Sequence, residues 1–548
     1  MVLEGRFLLT NSSVSTKRNS SLSFRQLIII GLLAAGSVVL LLLPGVPLGV
    51  PGEWVWNRHP LPATAADAIL QLLWPTVAAI GLGVVSHWAP PAGRPEQIVT
   101  RFGRYSLLLA AAAFFCCAVQ QAAPSPHREL KPLWVLYSPS ASGYFLEAAI
   151  AMPSAEEFLS TYEQRMQEGD VLHIGTHPPG LFLLSRYCID ACRASPTLCA
   201  VVGNVSSEPS LRAFQELAEL ARLSRSLTAE ETAGLQLLSL ISRLAVPLAL
   251  LPLALLVSQL SGPIAAWRAG CLWATLPCLA VFFPKSDVLF PLTSITVLSL
   301  AWISLNRSGP GRLFAVAAGV VLWLGLMLSL AHLPVIAVLV LLTLVRWLPA
   351  GNKELIRGDL VTGGIMLTTV IACSVAWSAS TGCNLATVWQ WNLTNHAGFY
   401  EQYPRTYVKW LLVNPLELCL AVGLPVAGSA LIGLWRTLST AFSPGAGSSD
   451  GPAVESQTAD RLPDPATRPF GEGQLVMVAG MGGVILMLWL SGKNQGEAAR
   501  LWCFLMPWIL VMAAGCLHTL CDRSWKTLLV LQLLVSTVTV LRVNGFSF

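Results

Sequence analysis

Residues 313–348 read LFAVAAGVVLWLGLMLSLAHLPVIAVLVLLTLVRWL, with His332 near the middle and Arg346 near the end as the only ionisable side chains. The apolar residues run on without alternating. Each half, 313–331 and 333–348, approaches the roughly 20 residues that a helix needs to cross a bilayer. Unpaired backbone groups are too costly in hydrocarbon, so spanning segments are helices or closed barrels, and the missing alternation removes the barrel. This stretch is two membrane helices back to back.

The same reading extends outward in both directions. Apolar runs near 27–48, 66–88, 105–123, 235–260, 269–284 and 288–305 precede it, and runs near 360–380, 410–435, 473–491, 501–520 and 525–542 follow. Composition agrees, since 54% of the 548 residues are hydrophobic, only 11% are charged, and the mean hydropathy is +0.62. A chain with so little polar surface cannot cover a water-soluble globule. The expected fold is all-α, a polytopic transmembrane bundle of about 13 spans.

The organisation follows from what lies between the spans. Residues 1–26 form a tail expected in the cytoplasm, and Lys17, Arg18 and Arg25 precede an apolar stretch with no small-x-small cleavage site, so a retained anchor is expected. Residues 27–437 form a transmembrane core with a large first extracytoplasmic loop at 124–177 and an amphipathic segment at 204–234. In that segment Leu211, Phe214, Leu217, Leu220 and Leu223 recur at helical spacing, which suits a helix lying along the membrane surface. Residues 438–472, rich in Ser, Gly, Pro and Asp, read as a disordered cytoplasmic linker, and 473–548 supply the last transmembrane helices.

Lys and Arg cluster in the tail, at Arg94 to Arg104, Arg307 to Arg312, Arg346 to Arg357, Arg436, and Arg523 to Lys526, and these ends are expected in the cytoplasm. The loops 124–176, 382–409 and 492–500 then face the other side. Residues 179–202 carry Arg186, Asp190 and Arg193. Counting them as a crossing would put Arg268 outside and Lys285 inside, which breaks the parity that Arg307 requires. A partial or re-entrant helix is the better expectation. The net charge of +5 comes from dispersed residues, so it speaks of topology, and no nucleic-acid partner is expected. The 13 cysteines lie mostly inside apolar runs without CxxC spacing, as small packing residues do.

Chemistry concentrates in a few polar stretches. Val171 to Gly180 holds His173 and His177 ahead of Pro178-Pro179, a backbone too constrained for one continuous helix to align both rings. Metal ligation, a structural turn and a substrate site are all open there. Ser142-Gly143-Tyr144-Phe145-Leu146-Glu147-Ala148-Ala149, then an acidic loop, then Thr176-His177-Pro178-Pro179-Gly180, resembles the first outer loop of GT-C superfamily glycosyltransferases. Protein O-mannosyltransferases and the aminoarabinose transferase of lipid A belong to that group. Phe283-Pro284-Lys285-Ser286-Asp287 and Gly492 to Trp502 are similar to segments of its bacterial members.

The resemblance implies a GT-C-like bundle, an acidic residue in the first outer loop, and a sugar taken from a polyprenyl-phosphate donor at the outer face. The aspartate common just before the tyrosine is absent, since Ser140, Ala141, Ser142 and Gly143 stand there. Glu147 and Asp170 are then the candidate catalytic carboxylates, for a reaction in which a base takes the acceptor proton and cations hold the departing phosphate. Tyr144, His173, His177, Asp287, His396, Arg405, Lys493, Glu497 and Arg500 are the candidate substrate-binding residues. The aromatic and amide-rich loop from Trp389 to Tyr407 carries His396 and Arg405 and suits sugar stacking as well as an interfacial belt.

No metal ligands are assigned, and a divalent metal is left open as a requirement. No Walker A, GxGxxG, HExxH or GxSxG pattern occurs in a usable context. The expected partners are membrane lipid, a polyprenyl-phosphate-linked sugar, and a glycan, lipid or protein acceptor; the expected place is the bacterial inner membrane. The rival readings are a multi-span transporter or lipid flippase, which the lack of an internal repeat disfavours, and a catalytically inactive relative.

Overall fold

The computed structural model describes residues 24–91, 97–171, 174–307, 311–348, 353–441 and 472–546. Among them ten helices are long and apolar enough to cross a membrane, and one of these, Ala229–Trp273, runs for 45 residues. Its backbone breaks at Gly262 (φ 84°, ψ 172°), directly before Pro263. The two limbs fold back on each other: the Trp273 indole N–H donates to the Val246 carbonyl at 2.6 Å. A Cβ on Gly270 would lie 3.3 Å from the Leu250 side chain. Twenty residues of unbroken helix would hold those two positions about 30 Å apart. Ala229–Trp273 therefore turns back on itself at Gly262.

Tyr407–Val422 with Leu424–Ser439, bent by 107°, makes eleven among the described residues if the pair is one span, against the about 13 expected from the sequence; the shorter apolar helix Cys503–Leu517 is the remnant of the expected run at 501–520. The expected single run at 410–435 is thus two helices meeting at Gly423, whose φ of 89° ends the first one.

A break at bilayer depth leaves carbonyls without partners, and water is not there to take them. One side chain solves this for two breaks. Gln532, fully buried in Asp522–Arg542, donates its amide to the Val422 carbonyl (2.9 Å) and the Thr275 carbonyl (3.1 Å). Buried indoles are satisfied in the same way, Trp267 by the Ser86 carbonyl and Trp508 by the Ser294 hydroxyl.

Residues 179–202 do not cross. They form Gly180–Ala194 and Pro196–Gly203, split at Ser195, and each piece is too short to span. The first runs antiparallel to the start of Ala229–Trp273, where Gly234 meets the Ile189 backbone and Arg193 pairs with Glu231 at 3.1 Å. Arg268 donates to the Leu517 and Leu520 carbonyls at the turn before Asp522–Arg542, while Lys285 lies at the opposite face beside Arg500.

Two local elements close the face that carries Lys285 and Arg500. Glu53, in a hairpin pairing Gly49–Val50 with Trp54–Val55, accepts from the Thr406 backbone, the Thr406 hydroxyl, the Lys409 ammonium and the Trp410 indole. Asn57–Arg58 pairs with Val543–Asn544, joining the start of the chain to its end. The expected amphipathic segment is the helix Glu208–Ala221. Phe214 on its apolar face packs edge-on against Tyr137 and Trp134, so protein covers part of that face, while Leu220 stays 79% exposed. The expected linker lies outside the described residues except at its ends, where 438–441 continue the helix Leu424–Ala441.

Candidate active site

Three chain segments far apart in sequence meet at one buried spot. The first is the turn before Gly180. Asp170 Oδ2 accepts the backbone N–H groups of Ile174 (2.7 Å) and Gly175 (3.1 Å) and fixes the turn. Asn392 and Asn395, one helical turn apart on Leu385–Gln402, each donate to the Gly175 carbonyl at 2.9 Å. Tyr162 donates its hydroxyl to the His177 carbonyl at 2.7 Å. The His177 ring then stands 5.3 Å from the Tyr144 ring and 3.0 Å, through Nδ1, from the Thr176 hydroxyl.

The second segment is the short passage from Pro277–Phe282 into Phe290–Leu305. Lys285 and Asp287 flank Ser286, with Nζ 3.0 Å from Oδ2 and side chains only 4% and 12% exposed. Burying an ammonium and a carboxylate costs several kcal/mol per ion unless they compensate each other. Burial pulls the Lys285 ammonium below its ordinary range, and the nearby Arg500 charge adds to this. Asp287 is in electrostatic reach of Arg500 and His177 as well as Lys285.

The third segment is the loop from Gly492 to Arg500. Glu497 adopts a left-handed conformation (φ 56°), uncommon for a side chain that carries a Cβ. It is held there by two guanidinium groups, Arg500 at 2.7 Å and Arg405 at 3.4 Å. Arg405 also donates to the Gln495 carbonyl and lies over the Phe399 and Trp410 rings. Tyr400 and Asn414 bind the loop backbone at Lys493, Asn494, Gln495 and Gly496. Burial acts to lower the Arg500 guanidinium, but Glu497 and Asp287 outweigh it and hold it above its usual value. Arg500 Nε is buried and unpartnered among the described residues.

Tyr144 links the segments. Burial pushes its hydroxyl well above the usual phenol range, and the charges that act on it are those of Asp287, Arg500 and Asp170. The structure thus brings together Tyr144, His177, Asp170, Asp287, Arg500 and Glu497. Lys285 belongs with them and was not among the site residues expected from sequence.

The other expected residues have different places. Glu147 is paired with Arg165, and the pair lies beside Phe158. Arg405 braces the loop. Lys493 is exposed, and His396 is half-buried near it, its imidazole lowered by burial first and by Lys493 second. His173 lies outside the described residues. Asn392 and Asn395, which anchor the turn, stand in the sequence only among the amides of the stretch from Trp389 to Tyr407.

Similarities to known proteins are few. No family profile and no curated protein sequence matches the chain. Its structure is similar to structures of archaeal oligosaccharyltransferase. One such structure, the Archaeoglobus fulgidus enzyme in complex with Zn and sulfate, has 14% identity and a TM-score of 0.43, over 80% of this chain and 54% of that one. Another, AglB from the same organism with an inhibitory peptide and a dolichol-phosphate, has 13% identity and a TM-score of 0.32, over 79% and 50%. The chain spans about half the length of these proteins. At this identity and overlap the likeness says nothing about which residues act.

No group of three His, Cys, Asp or Glu side chains converges among the described residues. Asp287 faces the Lys285 ammonium at 3.0 Å, and Asp170 Oδ2 accepts two backbone N–H groups.

Proposed function

We propose that the chain is a membrane glycosyltransferase that moves a sugar from a polyprenyl-phosphate-linked donor to an acceptor hydroxyl at the extracytoplasmic face. The observation that supports this most is the pair of cations, the buried Lys285 and the partly buried Arg500, set beside the carboxylate of Asp287. Arg500 Nε has an N–H to spare, and a guanidinium fork suits phosphate oxygens. Lys285 supplies a second positive charge in a site where burial strengthens electrostatics.

In this reading Asp287 takes the proton of the acceptor hydroxyl as its oxygen bonds to the sugar carbon, and the bond from that carbon to the phosphate oxygen breaks. The negative charge leaves on the polyprenyl phosphate, which Arg500 and Lys285 hold. His177 and Tyr144 line the same space and orient the sugar by hydrogen bonding. Glu147 and Asp170 keep structural parts, the first in its ion pair with Arg165 and the second capping the turn that positions His177.

The test is transfer of radiolabelled sugar from a panel of polyprenyl-phosphate sugars by membranes that carry the wild type or a variant. Transfer abolished by Asp287→Asn and retained by Glu147→Gln supports this assignment. Transfer that survives Asp287→Asn but not Glu147→Gln or Asp170→Asn moves the base to the first loop. No transfer from any donor, with folded protein present, refutes the reaction.

A further inference from the structure

Behind the wall formed by Pro277–Phe282 and Ala499 lies a cavity of about 260 Å³, distinct from the polar cluster. Leu41, Leu48, Val281, Phe282 and Leu420 make it apolar. Its rim includes Val46 and Leu416, which are 36% and 65% exposed on the apolar flank of the bundle. Glu417 is the only carboxyl group in the lining, and it is 7% exposed.

The hydrogen bonding of Glu417 is incomplete. Oε1 accepts the Trp56 indole N–H at 2.8 Å and the Ala499 backbone N–H at 3.1 Å. Oε2 is buried and accepts nothing, although the Ala498 amide lies near the same carboxyl. Leaving a carboxylate oxygen unpaired in apolar surroundings is costly, and native structures rarely do so without a reason. The indole and hydroxyl donors of the lining are already spent. Trp56 donates to Glu417, and Thr539 donates to the Val535 carbonyl at 2.7 Å.

We propose that this cavity binds a long-chain alcohol, its hydroxyl donating to Glu417 Oε2 and its chain running between Leu41 and Leu420 toward the lipid. The inventory selects the head group. The cavity offers one free oxygen acceptor and, as side-chain donor, only the weak S–H of Cys278, and a hydroxyl brings a single O–H to match that acceptor. An ammonium would bring three and leave two unpaired, and a phosphate or a fatty acid would set a negative charge against Glu417. The inference is independent of sugar transfer, since it is read by occupancy.

The experiment photolabels the full-length protein in its membranes with a long-chain alcohol that carries a diazirine near the chain end, and maps the modified peptides. Labelling is expected in 277–282 or 413–421. Dodecan-1-ol is expected to compete about tenfold better than its methyl ether, which lacks the donor, as one hydrogen bond is worth. Ala421→Trp, which fills the cavity, is expected to abolish the label. Glu417→Gln, which offers a donor where Oε2 stood, is expected to bring the alcohol and ether to parity. Labelling elsewhere, equal competition by the ether in the wild type, better competition by dodecylamine, or an unchanged label in Ala421→Trp would overturn the proposal. If Ala421→Trp does not fold, the Glu417→Gln competition ratio decides alone.

Discussion

The Lys285 ammonium and the Asp287 carboxylate stand 3.0 Å apart across a single residue, and neither side chain is more than 12% exposed. Removing one member leaves an uncompensated buried charge, at about 3–5 kcal/mol, whereas removing both leaves none. Lys285→Met and Asp287→Asn should therefore each lower the melting temperature, and the double variant should recover most of it. Transfer should fall by about 10²–10⁴-fold in Asp287→Asn, as for loss of a general base, and should stay lost in the double variant. Thermal melts and the sugar-transfer assay on the same preparations separate the two effects. Recovery of transfer along with stability would mark the pair as structural only.

Arg500→Lys tests geometry at constant charge. Glu497 engages one end of the guanidinium at 2.7 Å, and the buried Nε remains unspent. Lysine keeps the charge but has neither the fork nor the second donor direction. The expected outcome is a donor KM raised about tenfold or more, the worth of one charge-assisted hydrogen bond, with the acceptor KM unchanged. Equal changes in both constants would place Arg500 outside the donor subsite.

Gly175→Ala probes the turn. An added Cβ would lie 2.1 Å from the Asp170 carbonyl oxygen and 2.9 Å from Asn395 Nδ2, so backbone must move. We expect about 1–3 kcal/mol lost, as for other overpacked positions, and transfer reduced because His177 is two residues away. Gly169→Ala, where the added Cβ meets nothing within 4 Å but φ is +82°, separates backbone strain from steric contact. Equal melting curves for wild type and Gly175→Ala would refute the steric argument.

The helical membrane bundle was legible in the sequence because lipid leaves the backbone little choice, and runs such as 313–348 have only one stable form. The turn at Gly262 could be seen as a gap between 235–260 and 269–284. The break at Gly423 could not, since Leu424 continues the apolar run and the partner that makes the break tolerable, Gln532, is 109 residues away (532 − 423). The site was half legible. His177 and Asp287 stood out as polar groups at the ends of spans, and the acidic loop drew attention to Glu147. That Arg165 neutralises Glu147, and that Asn392 and Asn395 hold the His177 turn, depends on contacts between segments that local pattern does not encode.

The last prediction concerns pH and lies away from the site. His59, His127 and Lys131 are buried together, 5%, 8% and 5% exposed, with the two imidazoles 4.5 Å apart and Arg542 beside His59. Burial, then the Lys131 charge, lowers His59 to about 4 and His127 to about 2, and burial alone lowers Lys131 to about 7. For each group the folded form releases its proton below the ordinary value of 6.5 for histidine or 10.5 for lysine. Between the two values the unfolded chain binds more protons than the folded one, so stability rises with pH.

His59 acts in a window from about pH 4 to 6.5 and His127 from about 2 to 6.5, and Lys131 acts from about 7 to 10.5. Melting temperatures of the purified protein should climb from pH 5 to 6.5 and again from 7.5 to 9. Lys131→Met should flatten the upper rise and leave the lower one, and His59→Asn with His127→Asn should do the reverse. A wild-type melting temperature that falls between pH 7.5 and 9 would show that Lys131 keeps its charge in the fold, its ammonium satisfied by the Gln120 amide oxygen at 2.7 Å and the Ala280 carbonyl at 3.0 Å.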